Sequence, residues 1–183
     1  MSTTTIVIVV IAIVIVAAIA VSVSAASRRR RRSEELADRF GPEYDRTAGT
    51  ADGRRDRRHA EHDLAERADR RDELDIHPLP IEAREKYSEQ WRHAQERFVD
   101  EPRAAIGEAE QLLDAVMRER GYPVDGFEEQ AALISVDHAD VVENYRAAHR
   151  ISDRAEHDDV DTEDLREAML RYRSLFDELL APV

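Results

Sequence analysis

The chain of 183 residues has no cysteine, which excludes disulfides, thiolate catalysis and cysteine-ligated zinc. Lysine and asparagine occur once each, as Lys86 and Asn144. A phosphate-binding loop would have to use Lys86, whose surroundings, EAREKYSEQ, contain no glycine, so that loop is excluded. There are seven histidines, but no HExxH occurs and none has a glutamate three positions earlier, the spacing of di-iron helix bundles. Ser33, Ser88, Ser135, Ser152 and Ser174 all lie outside any GxSxG turn, which leaves a nucleophilic triad without support, and His138 beside Ser135 does not supply one. Acids, 40 in all, are too numerous for spacing to single out a catalytic pair. No catalytic or cofactor motif remains, and a non-enzymatic role is expected.

Charge is missing too, from the whole of residues 1–27. Ile6 to Val23 reads IVIVVIAIVIVAAIAVSV, and Thr5 to Ala26 as a helix would reach about 33 Å, enough to cross the hydrocarbon layer once. In lipid the backbone must satisfy its own hydrogen bonds, so a single span has to be helical despite its β-branched residues. A cleaved signal peptide is the rival, since Ser24-Ala25-Ala26-Ser27 offers small residues. Signal peptides, however, carry their positive charge ahead of the apolar core, and here it follows. Arg28, Arg29, Arg30, Arg31 and Arg32 form a basic collar expected to stay on the cytoplasmic side and to meet anionic headgroups, at about 1 kcal/mol per arginine. The expected location is the cell membrane, with the N-terminus outside and the remainder cytoplasmic.

The net charge is -13; with none on residues 1–27 and +5 on Arg28–Arg32, residues 33–183 carry -18. That field repels nucleic acid and anionic lipid alike, so nucleic acid is not an expected partner. The organisation expected is an N-terminal tail and transmembrane helix over 1–27, a basic collar and linker over 28–53, a charged stalk helix and proline-containing connector over 54–80, and a helical bundle over 81–183. SEELADRF continues as helix until Gly41-Pro42 stops it, and TAGTADG, residues 47–53, has the composition of a linker. Residues 54–75 are rich in helix formers but offer only Leu64 and Leu74 as large apolar groups, which predicts a stalk or loosely docked arm.

From Ile81 the apolar residues recur at helical spacing. Tyr87, Trp91, Ala94 and Phe98 define one helix, and Ala105, Ala109, Leu112 and Val116 another, separated by Asp100-Glu101-Pro102. Gly121-Tyr122-Pro123 ends the second, and Asp125 with Glu128 resembles a capping box. Phe127, Ala131, Ile134, Val141, Tyr145 and Ala148 share a face, with a break possible at Ser135 to Asp137. Leu165, Met169, Tyr172, Phe176 and Leu179 follow the 4, 3, 4, 3 spacing of a coiled-coil seam, widened by Leu175 and Leu180. The fold class is all-α, with a small antiparallel bundle of about four helices.

RFGPEYDR, RERGYP, SVDH and the C-terminal TEDLREAMLRYRSLFDELL together resemble an uncharacterised family of single-pass membrane-anchored helical proteins from high-GC Gram-positive bacteria, over most of residues 28–183. The resemblance implies one-span anchoring and no chemistry.

Four stretches invite a functional reading. His59, His62, Glu66 and Asp56 face one way on the charged helix, but a metal needs a second element, so solvated histidines are expected. EHDDVDTED, residues 156–164, has alternating acids, but from Asp159 a calcium loop would need glycine at Asp164 and glutamate at Leu170; capping of the last helix by acids such as Asp161 and Glu163 is expected instead. Gly41, Pro42, Glu43, Tyr44, Asp45 and Arg46 form a possible recognition turn, against the plainer reading of a helix break. Trp91 reads as core. The function expected is an acidic helical module at the cytoplasmic membrane face that binds or scaffolds another protein. The competing classes are an enzyme with a carboxylate/histidine site between helices and an exported helical domain.

Overall fold

The computed structural model describes the backbone of residues 3–157 and 160–181, and the side chains of that range except those of 3–18, 21, 25, 29 and 156. All regular structure among the described residues is helical. The chain divides into two units, Met1–Arg39 and Phe40–Val183. The apolar run and the arginine block lie on one continuous helix, α1 (Thr3–Phe40). Most side chains of the apolar run, and with them the expected membrane span, lie outside the described residues. Among the described residues no helix is long and apolar enough to cross a membrane.

Gly41, with φ of 44°, takes a conformation that a side chain disfavours, and Pro42 opens the short helical turn α2 (Pro42–Tyr44). A π-helical turn, Asp45–Gly49, follows. Five longer helices and one shorter complete the unit: α3 (Arg54–Asp72), α4 (Ile81–Arg97), α5 (Pro102–Arg120), α6 (Phe127–Asp137), α7 (Val142–Glu156) and α8 (Thr162–Leu180). The stretch expected to break near Ser135 does so after Asp137. The capping box expected from Asp125 and Glu128 does not form, because Gly126 holds the N-cap position of α6 and no side chain caps it. At α8 the expected capping is present, with Asp161 accepting a hydrogen bond from the Asp164 N–H at 2.8 Å.

The bundle is built around α8, which packs on α7 and α5, while α5 also carries α4. The seam residues Leu165, Met169, Tyr172, Phe176 and Leu179 are all buried, as is Leu175 between them. Trp91 of α4 stacks on Phe176 with ring centroids 4.4 Å apart, which places the lone tryptophan in the core. On α5, Ala105, Ala109, Leu112 and Val116 are buried; on α4, Tyr87 and Ala94 are.

The charged helix is not a stalk. α3 packs on α6 and on the π-helical turn and buries Leu64 completely, with Ala65 and Ala68 beside it. A single leucine flanked by alanines allows close approach where a thicker stripe would hold the helices apart. The 28–53 linker is corrected in the same way, since Phe40, Tyr44 and Ala48 are buried. The folded unit therefore starts at Phe40, not at Ile81. At the far end of the arm, His77 N–H bonds the Arg120 carbonyl at 3.0 Å. Gly121, at φ 99°, lies so close to the strand of chain at Asp75 that any Cβ would collide with the Asp75 carbonyl oxygen.

Removal of the ring beneath Trp91 tests the seam. Phe176→Ala is expected to cost about 3 to 5 kcal/mol in chemical denaturation while leaving a cooperative transition, the range for truncating a buried phenylalanine; a loss below about 1 kcal/mol would mark the seam as a surface instead.

Candidate functional site

The stretch read as a recognition turn faces inward. Glu43 is 2 % exposed, and a carboxylate so placed has to be neutralised where it stands. Arg46, one turn later, grips it with two hydrogen bonds of 2.8 and 2.7 Å. Arg146 of α7, 103 residues away in sequence, makes a second two-pronged contact at 2.8 and 2.9 Å. Arg67 of α3 adds a third guanidinium at 3.2 Å. Burial pushes the Glu43 carboxyl upward, but the hydrogen bonds and charges of Arg46 and Arg146 outweigh it and hold the group at about 2.

Tyr44 is buried beside it, donating to Glu61 at 2.9 Å and accepting from Arg57 at 2.9 Å. Pro42, Asp45 and Arg46 remain exposed and Gly41 half-buried. The two side chains that made the turn look like a recognition motif, Glu43 and Tyr44, are thus internal fastenings of α3 and α7. Farther along α3, Arg71 donates to Asp137 at 2.5 Å, and Tyr122 donates to the same carboxylate at 2.6 Å.

Arg146 also lines a groove of about 660 Å³ between the start of α6 and α7, with Phe127, Glu128, His149, Arg150 and Asp153. The floor is His149, half-buried, its ring stacked on Phe127 at 3.6 Å between centroids and 15° between planes. Glu110 of α5 lies 2.8 Å from His149 Nδ1. An ionised carboxylate only accepts, so Nδ1 carries a proton, and in the neutral ring the lone pair is on Nε2. Ser152 donates to the other Glu110 oxygen at 2.9 Å. Burial works against a charge on His149, but Glu110, then Asp153 and Glu128, raise its affinity for a proton above the ordinary histidine value. Deeper in the bundle, Tyr145 donates to Gln130 at 3.1 Å and Gln130 to Asp114 at 3.0 Å, so polar contacts join α5, α6 and α7.

The other sequence candidates stand apart. Arg28, Arg30, Arg31 and Arg32 are exposed on α1, and the Arg29 side chain lies outside the described residues. His59, His62 and Asp56 are exposed, with His62 only 3.3 Å from Glu66 on the same helix face. Asp159 lies outside the described residues. Among the described residues no group of three or more His, Asp or Glu is placed to hold a metal ion. Ser135 donates to the Ala132 carbonyl at 2.7 Å, so its hydroxyl belongs to its own helix. The Glu110–His149 pair escapes a sequence search because nothing marks one acid among so many; its only trace is the set Tyr145, His149 and Ser152, which lie on one helical face.

No protein-family model, curated protein or solved structure matches the chain.

Loss of the Glu43 charge leaves Arg146 and Arg67 without their shared partner, so Glu43→Gln is expected to destabilise by about 3 to 5 kcal/mol near neutral pH. The native carboxyl titrates at about 2 against an ordinary 4.5. Its contribution is therefore full above pH 4.5 and disappears as the pH falls towards 2. Denaturation in a descending pH series should show wild type losing stability across that window and Glu43→Gln losing correspondingly less.

Proposed function

We propose that the protein is anchored in the cell membrane by the N-terminal part of α1, with its N-terminus outside, and works at the cytoplasmic face as an acidic helical module that binds another protein. The observation that carries this reading is the abrupt change of charge at Arg28–Arg32. An uncharged apolar run precedes the block, and -18 of net charge follows it. The exposure of Arg28, Arg30, Arg31 and Arg32 on one helix supports their use as a collar on anionic headgroups. The resemblance of RFGPEYDR and the C-terminal helix to membrane-anchored bacterial proteins supports the same anchoring.

The acidic unit is repelled by the surface that attracts the collar, which keeps its faces available to a partner in the aqueous phase. A partner with a basic surface fits that field best, because opposite potentials speed encounter and suppress wrong associations. The buried state of Glu43 and Tyr44 turns attention from the GPEYDR turn to the outer faces of the helices. Affinity capture of the full chain from membranes, followed by identification of what co-purifies, tests the interaction; the expected result is a protein partner whose capture weakens as salt is raised.

Orientation has its own test, which the absence of cysteine makes clean. Ser2→Cys is expected to react with a membrane-impermeant thiol reagent in intact cells and Ser33→Cys to stay protected. The opposite pattern would overturn the orientation, and labelling of both would point to export. Neutralising Arg28–Arg32 is expected to mix or invert the pattern, since acidic residues contribute little to retention.

A further inference from the structure

We propose that the groove between α6 and α7 is a hydrolytic site, in which His149 Nε2 is the general base that activates a water molecule against the carbonyl of a small ester. The groove is open to solvent at a volume that suits a small molecule. Two contacts fix the imidazole in it: the Glu110 hydrogen bond at Nδ1 and the Phe127 ring stacked on its face; Asp153 Oδ1, 3.6 Å from Nε2, pairs with the ring only once Nε2 has taken a proton. Glu110 is itself held by Ser152, so it is a positioning residue for the tautomer with its lone pair on Nε2.

The charges around the ring favour the product of proton abstraction. Glu110 from α5, Glu128 from α6 and Asp153 from its own helix all favour imidazolium. Asp114 of α5 is engaged with Gln130, and the buried Tyr172 of α8 stands behind Glu110. Arg146 opposes protonation only weakly, because Glu43 neutralises it. Ser152 is an unsuitable nucleophile, since its hydroxyl donates to Glu110; water is therefore the attacking group. Arg150, with an exposed side chain paired to Glu143 at 3.2 Å, lies at the rim where a developing oxyanion would need a cation. Phe127 offers an apolar wall for the acyl or aryl part.

The step balances without a further reactant. Water oxygen adds to the carbonyl carbon while one proton passes to Nε2. The tetrahedral intermediate then collapses, the bond to the alkoxy oxygen breaks, and the departing oxygen takes the proton back from Nε2. A carboxylic acid and an alcohol leave, and the imidazole is restored.

The test is hydrolysis of p-nitrophenyl acetate by the purified full chain, with rate measured against concentration and pH. Expected are saturation and a rate that rises with pH as His149 loses its proton. His149→Gln should lower kcat/KM at least about tenfold, within the span of general-base effects. Glu110→Gln should lower the rate and move the pH midpoint downward, a shift that a merely structural role would not produce. His93→Gln, at an exposed histidine, should change nothing. A rate that never saturates, or equal losses from His149→Gln and His93→Gln, would overturn the proposal. If His149→Gln fails to fold, carbethoxylation of the wild-type protein decides: activity must fall in step with modification of His149 read by mass spectrometry, and activity that survives modification there refutes the site.

Discussion

A charged carboxylate shut away from water has to be matched at the place where it sits, and Glu43 imposes that condition on the first third of the folded unit. Its three guanidinium partners come from the adjoining turn, from α3 and from α7. Loss of the carboxylate leaves the largely buried Arg146 without its two-pronged partner, at a cost of several kcal/mol. Arg146 of α7 meets the carboxylate through a fork with fixed geometry and Arg67 of α3 through a single contact at 3.2 Å, so both helices are referred to one buried carboxylate. Net stabilisation from such a cluster is modest; its larger effect is to make alternative dockings unfavourable.

The interior of the bundle divides into two kinds of contact. On the α4 side the core is apolar and aromatic, with Trp91 against Phe176. Towards α6 and α7 it becomes polar, with Glu110, His149, Ser152, Gln130, Asp114 and Tyr145 joined by hydrogen bonds. A satisfied network of this kind holds side chains in single orientations and rigidifies the helices that carry it. The groove over His149 opens where that network reaches the surface, and its shape follows from the position of Phe127 at the start of α6.

The seam of α8 was legible because Leu165 to Leu179 repeat at helical spacing over about four turns, a pattern that only burial explains. The α4–α5 hairpin was legible for the same reason, with proline at the start of its second helix. Of the two readings of residues 54–75, stalk or loosely docked arm, the stalk fails because the hydrophobic count measures only one way of docking. Leu64 and its alanines give a faint stripe, and the remaining contacts are between charged groups that look identical to solvated ones in a sequence. Glu43 illustrates the limit most sharply: its partners Arg67 and Arg146 lie in other helices, and no local pattern distinguishes these arginines from their neighbours. Glu110 and His149 were hidden likewise, their pairing being a product of how α5 meets α7.

The arm formed by α3 is held along its length, by Tyr44 on Arg57 and Glu61 near its start, by Arg67 on Glu43 and Arg71 on Asp137 towards its end, and by the close approach of Asp75 to Gly121 beyond it. It is in effect a multivalent ligand of its own bundle. Opening of one attachment leaves the others to keep the freed part at a high effective concentration, and reattachment outruns escape. Exchange of this helix between neighbouring molecules therefore requires its attachments to fail together, so crowding many copies does not by itself entangle them.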